Sequence, residues 1–298
     1  MITETDAISE KLAARGQLSP EDVTRLETSA DILWLGTLAD TRRRELHGDV
    51  VTFVRVHEFC PGGDSASVDS EIPAGAGEVR IAATPASTVD VLSYAEMAVA
   101  RAGAVPVTAF ALDELAARCN HHLQTLEQLL TALRAAGVAM LAETRADPRL
   151  GDWLSVCRTT GLDVARLTVD GESRSDLARL NRLAAADSRS PGRIRAFAPL
   201  CQTVDDPPST GYTDVRQVAL ARLVVDNIES IQVDWSRYGP KLAQVALTFG
   251  ANDIDAVSPL DEHEQGWRRR PLEEITRNIR ATAGVPVERD GRFEKRDA

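Results

Sequence analysis

The feature that most constrains this chain is a repeated alternation of two kinds of segment. Short runs rich in β-branched and apolar residues recur at Val50–Val56, Glu78–Ala83, Val105–Phe110, Val138–Ala142, Asp163–Val169, Arg193–Pro199, Ser230–Asp234 and Asn252–Val257. Between most of them lie stretches with apolar residues at helical spacing: Thr88–Ala102, Leu123–Ala136, Pro148–Thr160, Ser173–Ala186, Thr213–Ile228 and Gly239–Phe249. Gly103, Gly137, Gly161 and Gly250 stand where such helices end, and glycine takes the left-handed conformation that a helix C-terminus needs. A helical crossover between consecutive strands makes them parallel. Eight strands of this kind predict an α/β fold, specifically a (β/α)8 TIM-type barrel.

The flanks read differently. Residues 1–48 form an N-terminal helical segment expected to pack on the barrel. Ser19-Pro20-Glu21-Asp22 reads as a capped helix start, Asp31 as a second cap, and Gly48 as a helix stop. The barrel is expected over residues 49–284, with a last helix at Leu272–Ala283. Residues 285–298 form a charged tail expected to fray.

Composition removes several classes of function. The chain carries 45 acidic and 34 basic residues for a net charge of −11, with no basic stripe interleaved with aromatics, so nucleic acid is not an expected partner. No apolar run approaches the ~18–20 residues of a membrane span, and no secretory leader is visible. Cys60, Cys119, Cys157 and Cys201 are scattered without a CxxC pair. They read as reduced thiols of a cytoplasmic protein and form no local metal motif, so no metal site is predicted.

Barrel chemistry sits at the C-terminal ends of the strands. His57, Glu58, Glu143 and Asp170 fall there and are the candidate catalytic acid–base groups. Adjacent residues on a strand point to opposite faces, so only one of His57 and Glu58 is expected to face the mouth. Thr84, Ser87 and Gln202 are the candidate cofactor- or ligand-binding groups, and Arg145, Glu172 and Arg237 could join them around a small ligand. His121-His122 reads as a solvated helix end, and Arg42-Arg43-Arg44 and Arg268-Arg269-Arg270 as solvated faces. Gly239-Pro240-Lys241 reads as the start of the seventh barrel helix.

Several segments resemble one family. Ala39–Val51 resembles the approach to the barrel in futalosine-pathway radical SAM enzymes, namely aminofutalosine synthase and cyclic dehypoxanthinyl futalosine synthase, with the related deazaflavin-cofactor synthases. The more specific match runs from Ala219-Leu220-Ala221-Arg222-Leu223 through Asp226-Asn227-Ile228 and Ile231-Gln232-Val233-Asp234-Trp235. It continues through Gly239-Pro240-Lys241-Leu242 to Leu247–Asp255. The likeness covers roughly Leu33 to Val257 and implies the same barrel.

The resemblance also implies an iron–sulfur cluster that cleaves S-adenosylmethionine. Three cysteines of a CxxxCxxC loop after the first strand hold that cluster, because thiolates bind the iron and tune its potential. Here the loop reads Val56-His57-Glu58-Phe59-Cys60-Pro61-Gly62-Gly63-Asp64, and positions 61–76 contain no further cysteine. The loops after the second, fourth, fifth and eighth strands also depart from the family's glycine-rich forms. The expectation is therefore a barrel without cluster or other cofactor. It would be a non-radical paralogue acting as partner or regulator of an active paralogue, or self-associating, in or near menaquinone biosynthesis. The alternative is non-radical acid–base chemistry at the barrel mouth on a small polar or nucleoside-like metabolite.

Overall fold

The computed structural model describes residues 4–14, 16, 18–61, 71–81, 83–169, 194–199, 211–225, 227–260 and 271–296. Its core is a ring of parallel strands: β1 (Val50–Glu58), β2 (Glu78–Ile81), β3 (Val107–Ala111), β4 (Met140–Arg145), β5 (Val164–Val169), β6 (Ile194–Pro199), β7 (Ser230–Asp234) and β8 (Asp253–Val257). Neighbours follow chain order, and β1 pairs with both β8 and β2, so the ring closes as the expected (β/α)8 barrel.

The helices are α1 (Glu4–Ala13), α2 (Pro20–Thr28), α3 (Ile32–His47), α4 (Thr88–Ala102), α5 (Leu112–Arg118), α6 (Leu123–Ala135), α7 (Leu150–Thr160), α8 (Tyr212–Val224), α9 (Trp235–Leu247) and α10 (Pro271–Ala281). Local chemistry sets their ends. Ser19 and Asp22 form a reciprocal capping box on α2, and the Asp31 carboxylate accepts from Trp34 N at 2.9 Å on α3. Arg216 of α8 donates to the α2-end carbonyls of Glu27 and Ser29 at 2.6 and 2.5 Å, which binds the N-terminal helices to the barrel's outer layer. Leu126, Leu130 and Leu133 of α6 pack with Leu154 and Cys157 of α7, all essentially inaccessible. Truncating one such leucine costs about 2–5 kcal/mol.

Four details differ from the sequence expectation. β1 continues to Glu58 and β4 to Arg145, because register partners are available: Glu58 lies opposite Arg80, and Arg145 opposite Thr168. His57, Glu58, Glu143 and Arg145 are thus strand residues. α9 begins at Trp235, capped by Asp234, and Gly239 (φ 68°) and Pro240 form a kink inside it rather than its start. His121, read as a solvated helix end, is partly buried, with its ring stacked on Trp153 at 5.9 Å between centroids. The helix expected at Ser173–Ala186 lies outside the described residues.

The fourth difference is the C-terminal segment. Val285–Glu288 forms strand β9, parallel to the first half of β1, with Val50 opposite Val285 and Phe53 opposite Glu288. β2 pairs only with the last residues of β1, so β9 fills the lower half of the β1–β2 seam. Beyond it, Arg289 N donates to Phe53 O at 2.9 Å and Gly291 N to Gly77 O at 3.0 Å. Backbone pairing and buried arginine contacts anchor residues that composition alone marked for fraying.

Candidate functional site at the barrel mouth

The interior of the barrel is occupied by ion pairs in two layers. In the lower layer Asp253 of β8, fully buried, accepts from Arg289 Nε and Nη2, both at 2.7 Å. Thr52 of β1 adds a bond at 2.5 Å and Gln232 of β7 one at 2.7 Å. The Arg289 guanidinium also lies 3.8 Å from the Phe293 ring centroid. In the upper layer Asp255 of β8 accepts from Arg80 of β2 at 2.7 and 2.9 Å and from Arg166 of β5. Arg80 also donates to Glu78 at 2.7 Å, and Thr108 of β3 to the same carboxylate at 2.5 Å. Since β2, β5 and β8 are not neighbours, these side chains meet across the inside of the barrel.

Electrostatics follow from that crowding. Burial alone would push the Asp255 carboxyl up, but the charges of Arg80 and Arg166 outweigh it and hold it well below the usual carboxylate range. Arg80 is likewise held cationic by Asp255 and Glu78 against its own desolvation. Side-chain exposure rises outward, from 1% at Asp255 to 13% at Arg166 and 24% at Glu143. The ladder thus opens toward the mouth at the Arg166–Glu143 pair.

Glu143 Oε2 accepts from Arg166 Nε and Nη2 at 3.2 and 3.1 Å. That ion pair turns Glu143 toward the ladder, not toward the expected cluster with Arg145 and Arg237. Ser87 is the N-cap of α4, its hydroxyl accepting from Val89 N at 3.1 Å. Thr84, beside it, holds a buried hydroxyl with no hydrogen-bond partner. Asp113, in the first turn of α5, accepts from Arg145 N at 3.2 Å, and burial pushes its carboxyl up. Asp170, Glu172, Gln202, Cys201 and Arg268-Arg269-Arg270 lie outside the described residues. Arg42, Arg43 and Arg44 are all paired, with Glu45, Asp40 and Asp49.

His57 and Glu58 reach a cavity of about 580 Å³ between the ends of β1, β7 and β8. His57 Nε2 is buried with no hydrogen-bond partner among the described residues. Burial lowers its basicity, against a weaker opposing influence from Glu58. Two non-glycine residues at strand ends take positive φ, Phe110 of β3 (64°) and Ala256 of β8 (56°), the latter lining this cavity. Such conformations are costly and persist where surrounding packing imposes them.

Thiol placement bears directly on the implied cluster. Cys60, just past β1, is exposed, whereas Cys119 and Cys157 sit in the core at 3% and 0% exposure. A cluster at the end of β1 would find one thiol from its own loop, and neither core cysteine can reach it. Among the described residues no three His, Cys, Asp or Glu side chains are grouped to hold a metal ion. Among the described residues the donor set does not fit a cluster bound through three thiolates.

The segment that carried the family resemblance has a structural use. Arg222 of α8 donates to Gly250 O at 2.8 Å, to Glu229 O at 3.2 Å and to Asn252 Oδ1, and that oxygen also accepts from Ile231 N at 2.9 Å. At Gly250 (φ 103°) an added Cβ would lie 2.8 Å from Arg222 Cβ, so only glycine fits. This lock ties α8, β7 and β8 together at the face opposite the mouth. What sequence reasoning missed is the ladder: Arg80, Arg166, Asp253, Asp255 and Arg289 are far apart in the chain. The one available hint was charged residues inside β-rich runs, where burial demands partners.

Comparison with known proteins agrees with this arrangement. Residues 202–267 match the family model for the CofH/MqnC C-terminal region. A 5-amino-6-(D-ribitylamino)uracil–L-tyrosine 4-hydroxyphenyl transferase from Methanosphaerula palustris is 27% identical, covering 78% of this chain and 80% of that protein. An aminodeoxyfutalosine synthase from Thermus thermophilus is 30% identical over 55% of this chain and 51% of that protein. Among solved structures, methylornithine synthase (PylB) superposes with a TM-score of 0.67 at 12% identity, covering 94% of this chain and 97% of its own. The hydrogenase maturase HydG gives 0.63 at 16% identity, over 95% and 75%. These structural likenesses concern the fold.

Proposed function

The chain is a CofH/MqnC-like member of the radical SAM family, and from that premise we propose that it is a non-radical paralogue. Its role is that of partner or regulator of a cluster-bearing paralogue, in the cytoplasm, in or near the futalosine route to menaquinone. One observation carries the reading. The loop after β1 offers a single thiol, Cys60, where the family's chemistry uses three, and Cys119 and Cys157 are locked in the core. The retained features, from the Arg222 lock to the closed barrel, serve shape rather than chemistry.

Anaerobic reconstitution with iron and sulfide tests the first half. The expected result is no thiolate-to-iron absorbance and iron well below one equivalent per chain; a stoichiometric cluster would remove the proposal. Co-expression with a CxxxCxxC paralogue from the same genome tests the second. Native mass spectrometry is expected to show a stoichiometric heteromer, and only separate species would leave the partner role without support.

A second reading rests on His57. An imidazole that lines a cavity beside Glu58, its basicity lowered by burial, is a candidate general base, so acid–base turnover of a small polar or nucleoside-like metabolite is the competing function.

A further inference from the structure

The chain beyond β9 is fastened at two joints that differ in character. The inner joint is the floor of the barrel, where Asp253 accepts from Arg289 twice at 2.7 Å and both side chains are essentially inaccessible. The outer joint is partly open to solvent. Glu288 accepts from Arg55 Nε and Nη2 at 3.1 and 3.3 Å and from Arg296 Nη1 at 2.6 Å. Arg296 Nη1 also donates to Gly75 O at 3.2 Å. Side-chain exposure here is 19% at Glu288 and 32% at Arg296. An added Cβ at Gly75 would overlap the Arg55 guanidinium and the Pro259 carbonyl, so the backbone of this stretch lies directly against the joint. Gly77 N donates to Arg55 O at 2.8 Å, and Gly291 N to Gly77 O at 3.0 Å.

Residues 71–77 join the outer joint to both the mouth and the ladder. Glu71 and Pro73 line the cavity at the ends of β1, β7 and β8, and Gly77 leads directly into Glu78 and Arg80 of the ladder. We propose that the C-terminal segment is a strap with one fixed and one releasable end. The Arg289–Asp253 joint stays closed in the folded barrel, while the Arg55–Glu288–Arg296 joint opens locally and frees residues 71–77. The two openings differ in cost. Parting Arg289 from Asp253 leaves buried charges unpaired, whereas a partly exposed ion pair is weak and screened by salt. Local opening follows the weakly held contacts. Opening at Glu288 therefore loosens one wall of the cavity while the barrel stays folded, which makes the C-terminal segment a conformational control on the mouth. The strap depends on neither the missing thiolates nor a partner chain, and its test leaves both of those readings standing.

Native-state amide exchange on the full chain, read residue by residue, provides the test. The informative amides are Ala76, which bonds Pro73 O, and Gly77, which bonds Arg55 O, with the core amide of Leu130 as the remote reference. Arg296→Met keeps the stem and removes the charge. It is expected to speed exchange at Ala76 and Gly77 at least tenfold while Leu130 keeps its wild-type rate. Adding about 0.5 M salt to the wild type should speed the same two amides and not Leu130. Arg289→Met, at the fixed end, should instead speed Leu130 along with the rest, or yield no folded protein. Unchanged exchange at Ala76 and Gly77 in Arg296→Met would overturn the proposal. So would an equal acceleration at Leu130, which is global loosening, or a purely local effect of Arg289→Met, which would make the two joints alike.

Discussion

The two ends of this barrel differ in how their buried charges are met. At the lower end the buried charges have partners, although Gln232 Oε1 and the Asn227 amide are buried without one among the described residues. Asp253 is held by Arg289, Thr52 and Gln232; Arg222 is held by three oxygens; β9 fills the seam beside β1. At the upper end His57 Nε2 and the Thr84 hydroxyl are buried without partners, and Phe110 and Ala256 carry strained backbone. Closed networks stabilise, whereas unsatisfied buried groups cost free energy. The difference is one of charge: the scaffold's buried ions are neutralised by partners that the fold brings together, whereas the mouth carries two positions of strained backbone and, among the described residues, fewer ion pairs.

The contrast can be broken most severely in the ladder. Asp255→Ala leaves Arg80 and Arg166 facing each other in the interior without their shared carboxylate, and removing one member of a buried ion pair costs about 3–5 kcal/mol. Urea unfolding is expected to show that loss, or no soluble folded protein. Asp255→Asn, which keeps the shape, should fall in the same direction but be recoverable, and a variant as stable as wild type would show that the ladder is not what holds the barrel together.

A cut at the lower end comes next. Arg222→Met removes donors from Gly250 O, Glu229 O and Asn252 Oδ1 while keeping the stem's packing. Leaving such acceptors unmet is expected to cost about 1–3 kcal/mol. Thermal unfolding should locate the change, and amide exchange should rise at Ile231, whose N–H shares the Asn252 oxygen.

Acid provides a third, smaller probe. His47, at the end of α3 with Nε2 against Glu229 O at 3.1 Å, has its pKa lowered to about 4 by burial and by the nearby Arg222 charge. Its unfolded value is near 6.5. Between those values the unfolded chain binds the proton and the native one does not, so stability falls as pH drops from about 6.5 toward 4. Discounted for the solvent that reaches this ring, the loss is about 1 kcal/mol. His47→Gln should flatten the stability–pH curve in that window.

The smallest effects belong to the mouth. His57→Gln is expected to change stability by no more than about 0.5 kcal/mol, since it removes no hydrogen bond of the described residues. A large destabilisation in thermal unfolding would erase the distinction between the two ends.

Much of the scaffold was legible in the sequence because it rests on local rules. The Ser19 capping box, the Asp31 cap and the strand–helix alternation each depend on residues close in the chain, and all eight strands lie within a few residues of their expected places. The site was less legible. Glu143 was expected among ligand-facing groups, but Arg166, one strand away, turns it into the ladder. Ser87 was expected at a cofactor, yet it caps α4, a role its position directly before Thr88 already allowed. The tail at residues 285–298 looked like a fraying end because charge is read locally, whereas its anchors, Asp253 and the open edge of β1, lie elsewhere in the chain.

The sequence alone determined the barrel and the count of thiols in its first loop, because hydrophobic period, caps and residue identity are properties of short stretches. Only the tertiary structure decided which charges neutralise one another. Arg80, Arg166 and Asp255 are separated by up to 175 positions and meet only when the ring closes. The same closure buried His57 Nε2 without a partner among the described residues, because a strand's direction can be read from its neighbours but the space around its end cannot.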